Sequence, residues 1–331
     1  VGPYIVRRVI AMLWMLIALS MIVFLLFAVL PSDPARLTCG KSCSPPIIAA
    51  NRHRLGLDQP LYEQYWKFVK GIFVGRTYGS GTATFDCHVP CLGYSFRQGE
   101  QVTDLITSKL PVTVQVATGG FILWILSGVG IGIISALRRG RWQDRTIMGA
   151  ALVGYSFPTF FIGLLLLFFV QIKWHWVSFA GYTSFFDSPT QWFGSLILPW
   201  VSIALVDAAF YARLTRNQML ETLGEDYIRT ARAKGLPERT VILRHAFRAG
   251  LTPIVTSAGL DLAFLLGGAI IIEQVFNLDG IGKLSIQSVL DSDLPVITAT
   301  TLVAAAFVIF ANLVVDLLYA FIDPRVRLVN D

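Results

Sequence analysis

Three carboxylates, Asp207, Asp261 and Asp316, fall inside long apolar runs of this 331-residue chain. If those runs cross a bilayer, each carboxylate costs about 3 kcal/mol at mid-depth and must face protein or water, where it can pair with a cation, line a polar pathway or relay a proton. Asp261 lies ten residues into its run, the best position for lining a pathway. Asp207 is followed by Tyr211 and Arg213, a spacing that predicts an ion pair near one end of its helix. Asp316 precedes Asp323, Arg325 and Arg327, so it belongs near a membrane surface. A structural pairing role suits all three as well as a transport role does. The chain has only four His, none deep in an apolar run, which is thin material for a proton relay.

Four cysteines, Cys39, Cys43, Cys87 and Cys91, form two Cys-x3-Cys pairs. Two disulfides are the natural reading on an oxidising side of the membrane. Pairing within each motif closes tiny loops worth roughly 2 kcal/mol each, and pairing across the segment closes long ones worth roughly 4 kcal/mol each. The spacing leaves all three connectivities open. A zinc site built from these cysteines with His53 or His88 is the alternative, though the spacing is not a zinc pattern. The Gly-x4-Gly-Lys-Ser/Thr phosphate loop, the His-Glu-x2-His pair and the compact nucleophile elbow are not found, so no ATP-hydrolysing centre is legible in this chain.

What must hold these residues is a set of membrane helices. With 54% hydrophobic and 15% charged residues and a mean hydropathy of +0.63, the composition is too apolar for an ordinary soluble domain. A helix needs about 20 apolar residues to span the bilayer. Six segments meet or approach that length: Val9–Leu30, Thr113–Leu137, Ile147–Ile172, Leu196–Ala212, Leu251–Ile272 and Val296–Ile322. Pro199 and Asp207 make the fourth the weakest, and Pro158 interrupts backbone bonding in the third, where Tyr155, Ser156 and Thr159 can satisfy the freed groups. The first run is too long for a cleavable signal and lacks a small-residue cleavage site after it. Gly128-Val129-Gly130-Ile131-Gly132 carries a small-xxx-small spacing that predicts close helix packing; a nucleotide-binding reading fails because no strand precedes it.

Charge sets the expected orientation. With the amino terminus inside, sixteen of the twenty-seven Lys and Arg lie in cytoplasmic segments, including Arg7, Arg8, Arg138, Arg139, Arg141 and Arg145. Both termini are then cytoplasmic, the net charge of +6 reflects topology, and nucleic-acid binding is not indicated. The expected organisation is an amino terminus and first span (1–31), an extracytoplasmic insertion (32–110), a membrane core (111–322) with a cytoplasmic segment at 213–248, and a short tail (323–331). The insertion has helix-like stretches at Ile47–Leu55 and Leu61–Phe73, and is too small to be stable without staples.

The cytoplasmic segment is far longer than a connector requires. Asp226 through Lys234 is rich in helix formers, Gly235 is a helix stop, and Pro237 suits the first turn of a new helix reaching about Ala249. Ile228, Ala231, Leu236, Val241 and Leu243 could dock in a partner's groove, with Arg229, Arg232, Lys234 and Arg239 left for acidic rims. The same pattern also suits an amphipathic helix resting on anionic lipid.

A resemblance separates these readings. Tyr227-Ile228-Arg229-Thr230-Ala231-Arg232-Ala233-Lys234-Gly235-Leu236, with Arg244-His245-Ala246-Phe247-Arg248 and Leu251-Thr252-Pro253, resembles the coupling signature of ABC importer permeases of the dipeptide/oligopeptide/nickel branch. Ala231 and Gly235 match the general Glu-Ala-Ala-x3-Gly pattern, whereas Arg229 and Thr230 depart from it as is usual in the peptide branch. Tyr4-Ile5-Val6-Arg7-Arg8, Leu55-Gly56-Leu57-Asp58-Gln59-Pro60-Leu61, Glu273-Gln274-Val275-Phe276-Asn277-Leu278-Asp279-Gly280-Ile281-Gly282 and Asp323-Pro324-Arg325 extend the likeness over most of the chain. The insertion points to the first, longer permease of a pair; the cysteine pairs are not part of the pattern. The resemblance implies an all-α polytopic membrane protein of the type I importer fold, with six transmembrane helices and a small insertion between the first two. It further implies a second homologous permease, two ATP-binding subunits (or one used twice) that hold ATP and Mg, and an extracytoplasmic solute-binding protein. Tyr227, Arg229, Ala231, Arg232, Lys234, Gly235, Leu236 and Pro237 would carry ATPase coupling. Peptides are the expected substrate, with nickel or glutathione as alternatives; a proton-coupled carrier and a lipid-anchored scaffold are the readings from other classes.

Overall fold

Long apolar runs close their backbone hydrogen bonds internally as helices, the one option for an isolated segment in lipid. A computed structural model describes residues 2–29, 44–55, 58–80, 83–177, 181–266 and 269–322. Helix α1 (Gly2–Val29) is followed by α2 (Pro45–Leu55) and α3 (Leu61–Val74) of the insertion. Two small antiparallel ladders come next: β1 (Arg76–Ser80) with β2 (Ala83–Cys87), and β3 (Tyr94–Ser95) with β4 (Glu100–Gln101). The membrane core then comprises α4 (Val102–Leu137), α5 (Trp142–Tyr155), α6 (Thr159–Lys173) and α7 (Pro189–Leu223). After α8 (Asp226–Ala233) come α9 (Glu238–Leu266), the short α10 (Ile270–Val275), α11 (Ile281–Leu290) and α12 (Leu294–Ile322).

Five described helices are long and apolar enough to cross a membrane, and α5 with α6 makes a sixth if that pair is one span. This pair turns by 97° at the break around Pro158, where the sequence predicts interrupted backbone bonding. Ser156 supports it by donating its hydroxyl to the Leu152 carbonyl at 2.7 Å. The fold is thus mostly helical, as the composition requires, and the strands of the insertion are an addition to the expected all-α architecture.

The main core lies where α4 meets α7. Val116, Trp124, Leu196, Ile203 and Tyr211 are buried there together with Ile254, Ile272 and Phe276. Gly128 and Gly132 bring the two helices together: a Cβ at Gly128 would stand 2.8 Å from the Tyr211 Cβ, and one at Gly132 would stand 2.6 Å from the Thr215 Cβ. The expected small-residue seam is therefore real, but Gly130 is not part of it and lines an apolar cavity of about 740 Å³ between α4, α9 and α12. A second cluster, with Val102, Ile106, Ile281, Leu284 and Val296, packs α11 between α4 and α12 at the end of the bundle that carries the insertion. A third, with Ala136, Met219, Ile228, Ala231, Val241 and Ala246, fills the opposite end, beside the Arg138–Arg141 loop. These are called the insertion end and the basic end below.

The insertion is fastened to the bundle. Cys87 and Cys91 are bonded to each other, the local one of the expected pairings, which commits both thiols; Cys39 and Cys43 lie outside the described residues. Ser95 donates to the Asp293 carboxylate, tying β3 to the turn before α12. Helix α3 lies on α1, with Tyr65 and Phe68 against Phe24.

Candidate coupling surface and intramembrane polar sites

At the basic end the segment after α7 folds into a rigid knuckle. Ile228 and Ala231 point into the third core cluster, with Ile228 fully buried. This corrects the outward docking expected for Ile228, Ala231 and Val241: all three pack against their own chain, because helix α8 is amphipathic and its bundle offers the nearer apolar surface. The exposed face carries Tyr227, Arg229, Arg232 and Lys234, followed by Gly235, Leu236 and Pro237. Helix α8 ends in a Schellman motif, with the Leu236 N–H donating to the Ala231 carbonyl at 3.4 Å and the Gly235 N–H to the Arg232 carbonyl at 2.9 Å. Gly235 has φ +75°, the left-handed conformation in which a side chain is disfavoured, and no atom lies within 4 Å of where its Cβ would be. Its glycine is therefore required by the turn within this chain, with the space above it left open. Pro237 caps α9, one position before the first helical residue expected for it.

Arg232 is not held ready for an outside partner. It bridges the turn to Glu238, Nη2 to Oε1 at 2.7 Å and Nε to Oε2 at 3.2 Å, and this contact raises the Arg232 pKa. Arg229 pairs loosely with Asp226 at 3.2 Å. Lys234 and Arg239 make no ion pair among the described residues. The knuckle is backed by an ion pair that sequence reasoning missed. Asp144, at the start of α5, accepts from Arg216 Nε at 2.7 Å and Nη2 at 2.8 Å, from the Ser135 hydroxyl at 2.5 Å and from the Gly140 N–H at 2.9 Å. Asp144 is 4% exposed. The fork ties the loop between α4 and α5 to α7, about two turns before α7 gives way to the knuckle. Seventy-two positions separate the partners, so no local pattern announces them.

Deeper in the bundle the expected pairs rearrange. Asp207 does not meet Arg213; its electrostatic neighbour is Asp261. The Arg213 guanidinium lies 5.7 Å above the Tyr155 ring. Tyr211 donates its hydroxyl to Asp261 at 2.5 Å, so Asp207, Tyr211 and Asp261 form one polar seam between α7 and α9. Asp316 pairs with Arg8 of α1 at 3.0 Å; Asp323, Arg325 and Arg327 lie outside the described residues.

At the insertion end the key group is Glu273, which is fully buried. Its carboxylate accepts from the Thr113 hydroxyl at 2.7 Å and from the Lys283 N–H at 2.9 Å, while Thr113 in turn accepts from the Ile281 N–H at 2.8 Å. It sits at the amino-terminal end of α11, where the helix dipole favours a carboxylate. A Cβ on Gly280 would collide with this carboxylate. Burial nevertheless raises the Glu273 pKa, against the bonds from Thr113 and the backbone of Lys283 and Gly282. Asp293 is raised for the same reason, against its bond from Ser95, whereas Lys283 lowers Asp279. Among the described residues no group of three or more His, Cys, Asp or Glu is arranged to hold a metal.

Five or six apolar spans among the described residues, a capped knuckle at one end and a locked loop at the other narrow the comparison with known proteins. Residues 128–328 match the model of the binding-protein-dependent transport system inner membrane component, and residues 3–117 match the amino-terminal model of such membrane components. The chain belongs to this family. A relative from Brucella abortus (strain 2308), named as a peptide transport system permease protein, is 38% identical over 323 residues, 98% of each chain. The glutathione transport system permease protein GsiC of Escherichia coli (strain K12) is 37% identical over 324 residues, again 98% of each. Among solved structures, an inward-facing MetNI methionine ABC transporter matches with a TM-score of 0.54 at 15% identity, covering 67% of this chain and 97% of that one, which supports the type I importer fold. This family member is a permease component of an ABC importer and a multi-pass inner membrane protein.

Proposed function

We propose that this permease forms half of a pathway for peptides, with both termini and the knuckle in the cytoplasm, and that the knuckle couples the pathway to separate ATPases. The single observation behind the coupling assignment is the capped turn at Gly235: Tyr227, Arg229, Lys234, Leu236 and Pro237 are exposed on a short helix whose other face is built into the bundle. A push on such a surface reaches α7 and α9 directly, because Met219, Ile228 and Val241 share one core. Ala231 and Arg232 serve this surface from within, one by packing and the other by bridging to Glu238. The working complex contains a second permease, two ATP-binding subunits that hold ATP and Mg, and an extracytoplasmic binding protein that delivers the cargo. The Asp207–Tyr211–Asp261 seam supplies polar groups at bilayer depth along the pathway. Peptide cargo is supported by the relative named for peptide transport, and the relatives named for glutathione, itself a small peptide, make that compound the foremost competitor.

The test is uptake by the reconstituted importer with di- and oligopeptides, glutathione and nickel as alternative cargoes. Gly235→Val places a branched side chain at φ +75° and on the open face. Uptake should fall at least about tenfold while ATP hydrolysis continues, with the variant still assembled in the membrane. Normal uptake by this variant would overturn the coupling assignment, and uptake of nickel alone would overturn the cargo.

A further inference from the structure

Helix α3 of the insertion carries an apolar face that its own chain does not cover. Tyr65 and Phe68 turn toward α1, where the Tyr65 hydroxyl shares a hydrogen bond with Ser20 at 2.8 Å and both rings meet Phe24. Next to this contact face, Tyr62, Trp66 and Phe73 recur at helical spacing with Val69 between them, and they are 71%, 67% and 74% exposed. Glu63, Lys67 and Lys70 occupy the remaining side. An apolar arc half covered by α1 and half open, with charges opposite, is the pattern of a helix lying in a membrane interface.

The depth of α3 follows from α1. Ser20 and Phe24 both lie inside the apolar run of α1, which continues in the sequence to Leu30. Interfacial helices bury their apolar face about 5–10 Å into the boundary between headgroups and acyl chains. The contacts with α1 therefore hold α3 at bilayer depth. The same stretch of α1 leaves Ile17, Met21 and Leu25 exposed, so both helices present open apolar side chains where they meet.

We propose that α3 is an in-plane anchor: Tyr62, Trp66 and Phe73 lie in the lipid of the leaflet on the insertion side, and Lys67 and Lys70 reach the headgroups. The anchor fixes the height of the insertion, since β1 begins two residues after α3 ends. It needs no knowledge of the cargo.

Nitroxide labels on Tyr62→Cys, Trp66→Cys and Phe73→Cys, with Glu63→Cys and Lys70→Cys for the opposite side, test this in the complete importer held in nanodiscs of phosphatidylethanolamine and phosphatidylglycerol. Collisions with dissolved oxygen, relative to a water-soluble nickel chelate, should be at least about twofold higher at 62, 66 and 73 than at 63 and 70. Preserved uptake by each labelled protein confirms that it is folded. Higher chelate accessibility at the three aromatic positions would put them in water and overturn the anchor. Exclusion of both reagents there would show a protein partner covering the face and overturn it equally.

Discussion

Each end of the bundle keeps a buried carboxylate, and the two are satisfied by different means. Asp144 at the basic end meets an opposite charge, the forked Arg216, with Ser135 and Gly140 adding donors. Glu273 at the insertion end is held mainly by neutral donors: a hydroxyl, backbone N–H groups and a helix terminus. A charge met by a charge stays ionised and fails abruptly when its partner goes. A carboxylate held by dipoles can be neutralised in place, so its environment shifts with pH. The fixed lock stands behind the knuckle, where force is proposed to enter, and the adjustable one stands in the loop at the other end.

The sharpest way to break this contrast is Arg216→Ala, which strands Asp144 as a buried unpaired charge. It should cost about 3–5 kcal/mol and remove most of the correctly folded permease from the membrane. Asp144→Asn together with Arg216→Met should recover much of that loss, as judged by thermal unfolding in detergent. A full-strength single variant would end the claim that this pair is a lock.

Glu273→Gln should cost less, about 1–3 kcal/mol, because one amide cannot accept from all the donors gathered there. Its wild-type pH dependence has a definite sign. A raised folded-state pKa means the folded protein holds the proton more tightly than the unfolded chain does. The contribution is therefore present below the ordinary carboxylate range and declines as pH rises through the raised value. Unfolding temperature followed upward from about pH 4 should show this decline in the wild type and a shallower one in Glu273→Gln, where Asp293 still contributes with the same sign. A slope unchanged by the substitution would place the titration elsewhere.

The smallest effect belongs to the bridge over the Gly235 turn. Arg232 and Glu238 are both substantially exposed, and breaking them with Glu238→Ala should change stability by roughly 0.2–1 kcal/mol. Uptake should suffer more than unfolding temperature if the bridge sets the shape of the knuckle. Proportionate losses in both would reduce it to a surface ion pair.

Much of this architecture was legible because membrane spans and helix stops are local. The apolar runs, the helix-like stretches of the insertion and the Gly235-Leu236-Pro237 break depend on neighbours within a turn or two, and sequence spacing records them. The two carboxylate locks were not legible. Glu273 and Thr113 are 160 positions apart, and nothing around Asp144 distinguishes it from an ordinary acidic residue at a helix start. The direction of α8 was misjudged for a related reason. Its periodicity shows that one face is apolar but not whether the chain's own bundle or another subunit covers it. The Asp207–Arg213 pairing failed because a spacing of six puts the two side chains on different faces of one helix, Asp207 beside Asp261 and Arg213 over Tyr155.

The length of α4 has a mechanical meaning. Its 36 residues run for about 54 Å, well beyond the ~30 Å hydrocarbon layer, so one unbroken rod joins the insertion to the basic loop. Gly128 and Gly132 weld that rod to α7, itself 35 residues long, at a separation that leaves no room for sliding. Two rods packed this closely move as one body, so a displacement applied to α7 at the basic end is shared by α4 along its whole length.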